Sequence, residues 1–164
     1  MTSPTTAESD LVHLRRCVEL AREALAAGDE PFGSMLVSGK GEVLFEDRNR
    51  TTTDSDATLH PEFELARWAG RLDAEARAAA TAYTSGEHCA MCSAAHGYAG
   101  LGRLVYAVSD AQRREWLAEW GVDAGPVRPL PVQDVVPGLD WSGPAPELEE
   151  EVRELHRRRW QDPR

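Results

Sequence analysis

Cysteine is scarce in this chain. There are three, two of them in a single Cys-x-x-Cys, too few for the disulfide framework of a small secreted domain. No apolar N-terminal stretch of the signal-peptide kind is present, and no hydrophobic run approaches the roughly 20 residues needed to cross a bilayer. Positive charge is also short: 18 Lys and Arg against 28 Asp and Glu leave a net charge of −10. That is the reverse of the basic surface with which a protein tracks a phosphate backbone. No repeat or low-complexity tract appears. These absences point away from a secreted scaffold, a membrane protein or a dedicated nucleic-acid binder, and toward a cytoplasmic protein. What remains is ordinary for a globular chain: 164 residues, 41 % hydrophobic and 28 % charged, enough for one domain with its own core.

Residues 1–8 read as a flexible N-terminus, and residues 9–164 as a single domain. A helix is expected from Ser9 or Asp10, its N-cap, because Leu11, Leu14, Val18, Ala21 and Leu25 recur at steps of three and four. Gly28 and Pro31 stop it, and Cys17 on it reads as a small buried hydrophobe. Residues 32–37 and 42–46 read as strands joined by the Ser38-Gly39-Lys40-Gly41 turn; residues 47–58 are a polar loop running into His60. The spacing predicts a helix over 62–78, with Pro61 in its first position, where a missing N–H costs nothing. A strand over 80–85, a helix over 87–99, a strand over 103–108 and a helix over 110–120 follow. An edge strand over 132–136 and a thinly striped final helix over 147–160, carrying Leu148, Val152 and Leu155, complete the order. Strands alternating with helices of this length argue an α/β fold with a mixed sheet of about five strands, covered on both faces. In such sheets active sites gather where strands hand over to helices.

Two short stretches carry chemistry. Leu59-His60-Pro61-Glu62 places a histidine and a carboxylate at a helix start, and Glu87-His88-Cys89-Ala90-Met91-Cys92 places two cysteines in the first turns of another helix. One imidazole and two thiolates suit zinc and leave a fourth position for water, the make-up of a catalytic site. A Cys-x-x-Cys alone also fits a redox pair or half of a structural zinc site. A closed structural site wants a fourth protein ligand, and no second cysteine pair exists; a redox pair leaves His60 and Glu62 unexplained. Catalytic zinc, one ion held by His60, Cys89 and Cys92, is the reading that uses every residue. Glu62, two residues past the histidine, then serves as general base and acid for the zinc's water. Its ordinary alternative is a first-turn carboxylate favoured by the helix dipole.

On these residues, together with Pro31-Phe32-Gly33 and the loop holding Asn49, the chain resembles the cytidine-deaminase-like superfamily, in the branch containing guanine deaminases and tRNA adenosine deaminases. The resemblance covers the first helix through about Val108. It implies a three-layer αβα sandwich, one Zn²⁺ per chain, hydrolytic release of ammonia from an amino-heterocycle, and a homodimer. It also implies that Asn49 hydrogen-bonds the substrate ring and that Phe32 lines its pocket; the plainer readings are turn chemistry and a core aromatic. Two departures bear on substrate. Pro61 stands where relatives usually carry Ala, whose backbone N–H can face the substrate, and His88 stands where they usually carry Pro, at the border of the base pocket. His88 otherwise reads as an exposed histidine at a helix start.

The remaining candidates are weaker. His96 reads as packing or a helix hydrogen bond, and His13 and His156 as solvated residues on charged helices. Trp116 and Trp120, four apart, read as packing. Glu115 and Glu119 are candidates to pair with a guanine-like edge, and the final helix resembles, in place only, the tail that closes the pocket of guanine deaminases. Function is therefore expected to be deamination of a free base, nucleoside or related ring, guanine-type first, cytosine- or triazine-type next. The alternatives are a tRNA adenosine deaminase, for which the Arg157-Arg158-Arg159 cluster is a small basic surface, and a deaminase-like binding protein without activity.

Overall fold

The computed structural model describes residues 6–162, so the expected flexible terminus lies mostly outside the described residues. Its centre is a five-stranded sheet in the order β2-β1-β3-β4-β5, built from β1 (Gly33–Val37), β2 (Val43–Arg48), β3 (Thr81–Gly86), β4 (Arg103–Val108) and β5 (Trp141–Ser142). β1 pairs antiparallel with both β2 and β3, while β3–β4 and β4–β5 are parallel, so the sheet is mixed. Side chains of β1 and β4 are buried on both faces almost without interruption, which is why these segments read as continuous apolar runs rather than alternating ones.

Period-two alternation sorts those runs between two helical layers. Met35, Val37, Tyr83, Val105 and Ala107 face α1 (Glu8–Ala27) and α7 (Pro146–Gln161), meeting Leu14, Val18, Ala21, Leu148, Val152 and Leu155. Leu36, Ala82, Leu104 and Tyr106 face the other way, toward Leu65, Ala66 and Ala69 of α2 (Pro61–Ala69), Ala95 and Ala99 of α4 (Ala90–Ala99), and Val132 of α6 (Val132–Val135). The result is a three-layer αβα sandwich. Gly33 is what lets α1 lie close on β1, since a Cβ there would run into the Cys17 carbonyl and Leu20. Cys17 is fully buried among this packing. Among the described residues, no helix is long and apolar enough to cross a membrane.

The structure corrects several boundaries. α1 begins at Glu8 with Ala7 as its cap, and Asp10 accepts the Ala7 N–H from inside the first turn (3.2 Å) rather than capping the helix itself. The helix expected over 62–78 is two helices, α2 and α3 (Ala74–Ala79), because Asp73 starts a new one by accepting the Ala76 N–H at 2.8 Å. α4 starts at Ala90, which makes Cys89 its N-cap instead of a first-turn residue. The 132–136 segment is the short helix α6, not a strand. The Val132 N–H at its start donates to Glu87 Oε1 at 2.9 Å, and the fifth strand lies further on, where Trp141 and Ser142 pair with Leu104 and Val105. The other Glu87 oxygen accepts the Asp110 N–H (3.0 Å) at the start of α5 (Asp110–Glu119), so one carboxylate caps two helices.

Candidate active site

α2 and α4 pack against each other with their N-termini meeting over the C-terminal end of β3. His60 is the N-cap of α2, in extended conformation at φ −81° and ψ 135°, and its carbonyl accepts the Phe63 and Glu64 N–H groups. Pro61 follows at the first helical position, buried. Cys89 is the N-cap of α4, and Cys92 sits three residues inside it.

This brings His60 Nδ1 to 3.8 Å from Cys89 Sγ and 3.6 Å from Cys92 Sγ, with all three donor atoms within 4.8 Å of one another. Metal–sulfur and metal–nitrogen bonds of zinc-like length in a tetrahedron put their ligand atoms roughly 3.6 Å apart. The three side chains therefore fit one such ion. Their proton affinities fit it as well. A hydrogen bond from Cys92, together with His60 and against burial, lowers the Cys89 thiol to about 4. Cys89 and burial push Cys92 well above the thiol range. Burial would lower His60, yet Cys89 and Glu62 outweigh it and raise the imidazole to about 9.

Glu62 is 4 % exposed, and its carboxyl is raised by burial, which His60 and its hydrogen bonds offset only in part. Its Oε2 lies 4.0 Å from Cys92 Sγ, facing the cluster, and its Oε1 is 3.0 Å from Thr84 Oγ1. The loop from Asn49 to His60 forms the adjoining wall. Asn49 there is 2 % exposed, and its Oδ1 accepts from Thr51 N (3.0 Å) and Thr51 Oγ1 (2.8 Å), which leaves the Nδ2 donor as its free group. The loop is held from beneath by Asp29, fully buried, which accepts from Thr52 N (2.9 Å), Thr53 N (2.8 Å), Thr53 Oγ1 (2.9 Å) and Arg48 Nη1 (3.1 Å). Asp29 and Thr84 are not singled out in the sequence, and Glu87 is named there only as the start of a helix; Asp29 and Thr84 are polar residues whose burial depends on distant partners, and no local pattern marks them.

Phe32 packs on Gly86, where a Cβ would meet its Cε1 at 2.9 Å. The Arg113 guanidinium lies 5.7 Å from the centre of its ring, and His156 meets it edge-on at 5.1 Å. His156 is thus not solvated. It is fully buried between Phe32 and Trp116 with neither ring nitrogen hydrogen-bonded, and burial lowers it to about 3. His13 is half-buried, its ring 4.7 Å from that of Tyr83. His88 is 1 % exposed, not a surface histidine. Its ring stands edge-on to His96 at 5.3 Å, both nitrogens without partners, and burial drives its pKa well down. His96 donates from Nε2 to the Gly102 carbonyl (3.2 Å), and Trp116 packs in the core. Glu115 and Glu119 are exposed on α5, and Glu119 pairs with Arg153 at 2.7 Å.

Residues 7–108 match the model of the cytidine and deoxycytidylate deaminase zinc-binding region. The chain is 34 % identical over 112 residues to a probable cytosine deaminase of Schizosaccharomyces pombe, covering 67 % of each chain. It is 33 % identical over 104 residues to a tRNA-specific adenosine deaminase of Haemophilus influenzae, covering 63 % of this chain and 60 % of that one. Among solved structures, a guanine deaminase from Nitrosomonas europaea superposes with a TM-score of 0.69 over 98 % of this chain and 88 % of its own, at 19 % identity, a likeness of fold.

Proposed function

This chain belongs to the family defined by the cytidine and deoxycytidylate deaminase zinc-binding region, and we propose that it is a zinc-dependent hydrolytic deaminase of a small amino-heterocycle. A guanine-type ring is the favoured substrate, cytosine- and triazine-type rings the next, in a single-domain cytoplasmic enzyme. The observation that carries the reading is the meeting of His60, Cys89 and Cys92 at one point, with Glu62 Oε2 4.0 Å from Cys92 Sγ. A zinc ion held by these three side chains supplies a Lewis acid and a water acidified toward neutral pH. Glu62 takes a proton from the attacking water at Oε2 and returns it to the ring nitrogen beside the amine-bearing carbon. With the water oxygen now bonded to that carbon, its remaining proton passes by way of Glu62 to the amine, the C–N bond breaks, ammonia leaves, and a ring carbonyl remains. Burial of Glu62 supports this role, because a carboxyl with raised proton affinity accepts and releases a proton nearer neutrality.

Asn49 offers the Nδ2 donor to an acceptor on the ring, and Phe32, Pro61 and His88 border the base. In this reading Pro61 gives no N–H to the substrate, and the two unpaired nitrogens of His88 are polar groups that a proline at that position lacks. The protein acts as a homodimer. α4 has no charged residue, and Tyr98 on it is 95 % exposed, which makes that helix the face a second copy would cover. Tyr98→Glu should then shift sedimentation velocity from dimer to monomer; an unchanged profile removes that face.

The likeness to a tRNA-specific adenosine deaminase keeps a second substrate class in view. A net charge of −10 disfavours it, and Arg157 in the basic cluster is already paired with Glu154 (2.7 Å) and Asp162 (2.9 Å). The deciding experiment is ammonia release from a panel of purine, pyrimidine and triazine amines, run beside an adenosine-bearing tRNA anticodon arm, with bound zinc measured. Release from a ring in the panel bears out the proposal; inosine formed in tRNA with no small-molecule turnover overturns it.

A further inference from the structure

We infer that Ser34 and Thr84 form a positioning pair for Glu62, tying its Oε1 so that Oε2 is the oxygen left facing the His60, Cys89 and Cys92 cluster. The inference rests on the deaminase reading above and adds the residues that aim its proton carrier. Strand register creates the pair: Ser34 and Thr84 are partners in the antiparallel β1–β3 ladder, two residues along from Leu36 and Ala82 on the same face. That neighbouring rung is apolar, and the face belongs to the α2 side of the core. Changing one rung from aliphatic to hydroxyl, with both residues fully buried, costs desolvation unless every polar atom finds work.

The proton count shows what that work is. Ser34 Oγ donates to Thr84 Oγ1 at 3.0 Å. Thr84 has one proton of its own and two acceptors within reach, Glu62 Oε1 at 3.0 Å and the Gly86 carbonyl at 2.9 Å. An ionised carboxylate is the stronger acceptor, so Thr84 donates to Glu62, while the donation from Ser34 holds the threonine hydroxyl in place. Glu62 cannot turn about its last bond without losing that donor. Its Oε2 stays 4.0 Å from Cys92 Sγ, on the side where a water and substrate would meet. A rung that served packing alone would need no carboxylate: Ser34, Thr84 and the Gly86 carbonyl already satisfy one another.

Thr84→Val keeps the β-branched shape and deletes the hydroxyl; Thr84→Ser keeps the hydroxyl and deletes the methyl. Using a turned-over amine from the panel, kcat per zinc-loaded, folded molecule of Thr84→Val should fall roughly ten- to hundredfold, the factor carried by a hydrogen bond to a charged group. KM should stay near the wild-type value, and Thr84→Ser should recover most of kcat. The crystal structure of Thr84→Val should show the Glu62 carboxylate rotated from its place beside Cys92. Wild-type kcat in Thr84→Val, an equal loss in Thr84→Ser, or an unmoved carboxylate would each overturn the inference. If the wild-type protein releases no ammonia from any amine, the deaminase reading fails, and the crystal structure still decides whether Thr84 holds Glu62.

Discussion

Two buried carboxylates stand on opposite faces of the same strand, and their environments part company. Tyr83 and Thr84 are consecutive on β3, so their hydroxyls emerge on opposite sides of the sheet. Tyr83 O–H donates to Asp10 at 2.9 Å, and Thr84 Oγ1 meets Glu62 at 3.0 Å. Asp10 is 2 % exposed and Glu62 4 %. Burial acts to raise both, but Asp10 also receives both Arg103 Nη groups at 2.9 Å, and the guanidinium and Tyr83 outweigh burial and hold it below the usual carboxylate range. Glu62 has no arginine or lysine partner among the described residues and stays raised. Burial alone thus says nothing of a carboxylate's role. The partner does: a bidentate cation makes Asp10 a rivet joining α1 to β3 and β4, and the lack of one leaves Glu62 free to trade a proton.

The comparison is broken most sharply by neutralising each group in turn. Glu62→Gln should lower kcat by about 10²–10⁴, the range of general acid–base catalysis, with zinc content retained. In metal-free protein it should hold or raise the melting temperature, because it removes a buried charge whose desolvation His60 and Thr84 offset only in part. Asp10→Asn should do the converse. It leaves the Arg103 guanidinium without its carboxylate and should cost about 2–3 kcal/mol in urea unfolding at neutral pH, with kcat per folded molecule unchanged. If Glu62→Gln proved as destabilising as Asp10→Asn, both groups would be structural and the contrast would fail.

Acid titration sharpens it. Asp10 has its folded pKa depressed, so it adds stability above its unfolded pKa, and that stability is lost as pH falls through the folded value. The stability gap between wild type and Asp10→Asn should be full above about pH 5 and should shrink below about pH 4. A gap independent of pH in chemical denaturation would remove the ion pair as its cause.

What the sequence discloses follows the range of the interaction responsible. The residues that converge at the site are legible because their signals are local: a Pro at the first helical position beside His60, and two cysteines three apart at a helix start. β1 and β4 are legible as apolar runs. The break between α2 and α3 escapes because Leu72 and Ala76 continue the helical period past the capping Asp73, whose bond to Ala76 competes locally with it. The segment 132–136 looks like a strand because Val132, Val135 and Val136 favour one; a carboxylate 45 residues earlier, Glu87, makes it a helix. Asp29 and His156 are polar residues in loop or charged surroundings, and only tertiary packing buries them, as it half-buries His13.

His156 supplies the smallest expected effect and a useful check on the contrast. It too is a titratable group at 0 % exposure, yet it has neither the cation of Asp10 nor the facing cluster of Glu62. Burial, followed by the nearby Arg113 charge, lowers its pKa to about 3, so it sits in the fold as a neutral ring against Phe32 and Trp116. Two unpaired ring nitrogens in an apolar slot are a cost the fold bears, and a side chain of similar size without them should relieve it. His156→Leu should therefore change stability by less than about 1 kcal/mol, on the favourable side, with kcat and KM unaltered. A raised KM with stability intact would mean that a ring nitrogen of His156 pairs with substrate past Phe32, and would move this residue from the silent class into that of Glu62.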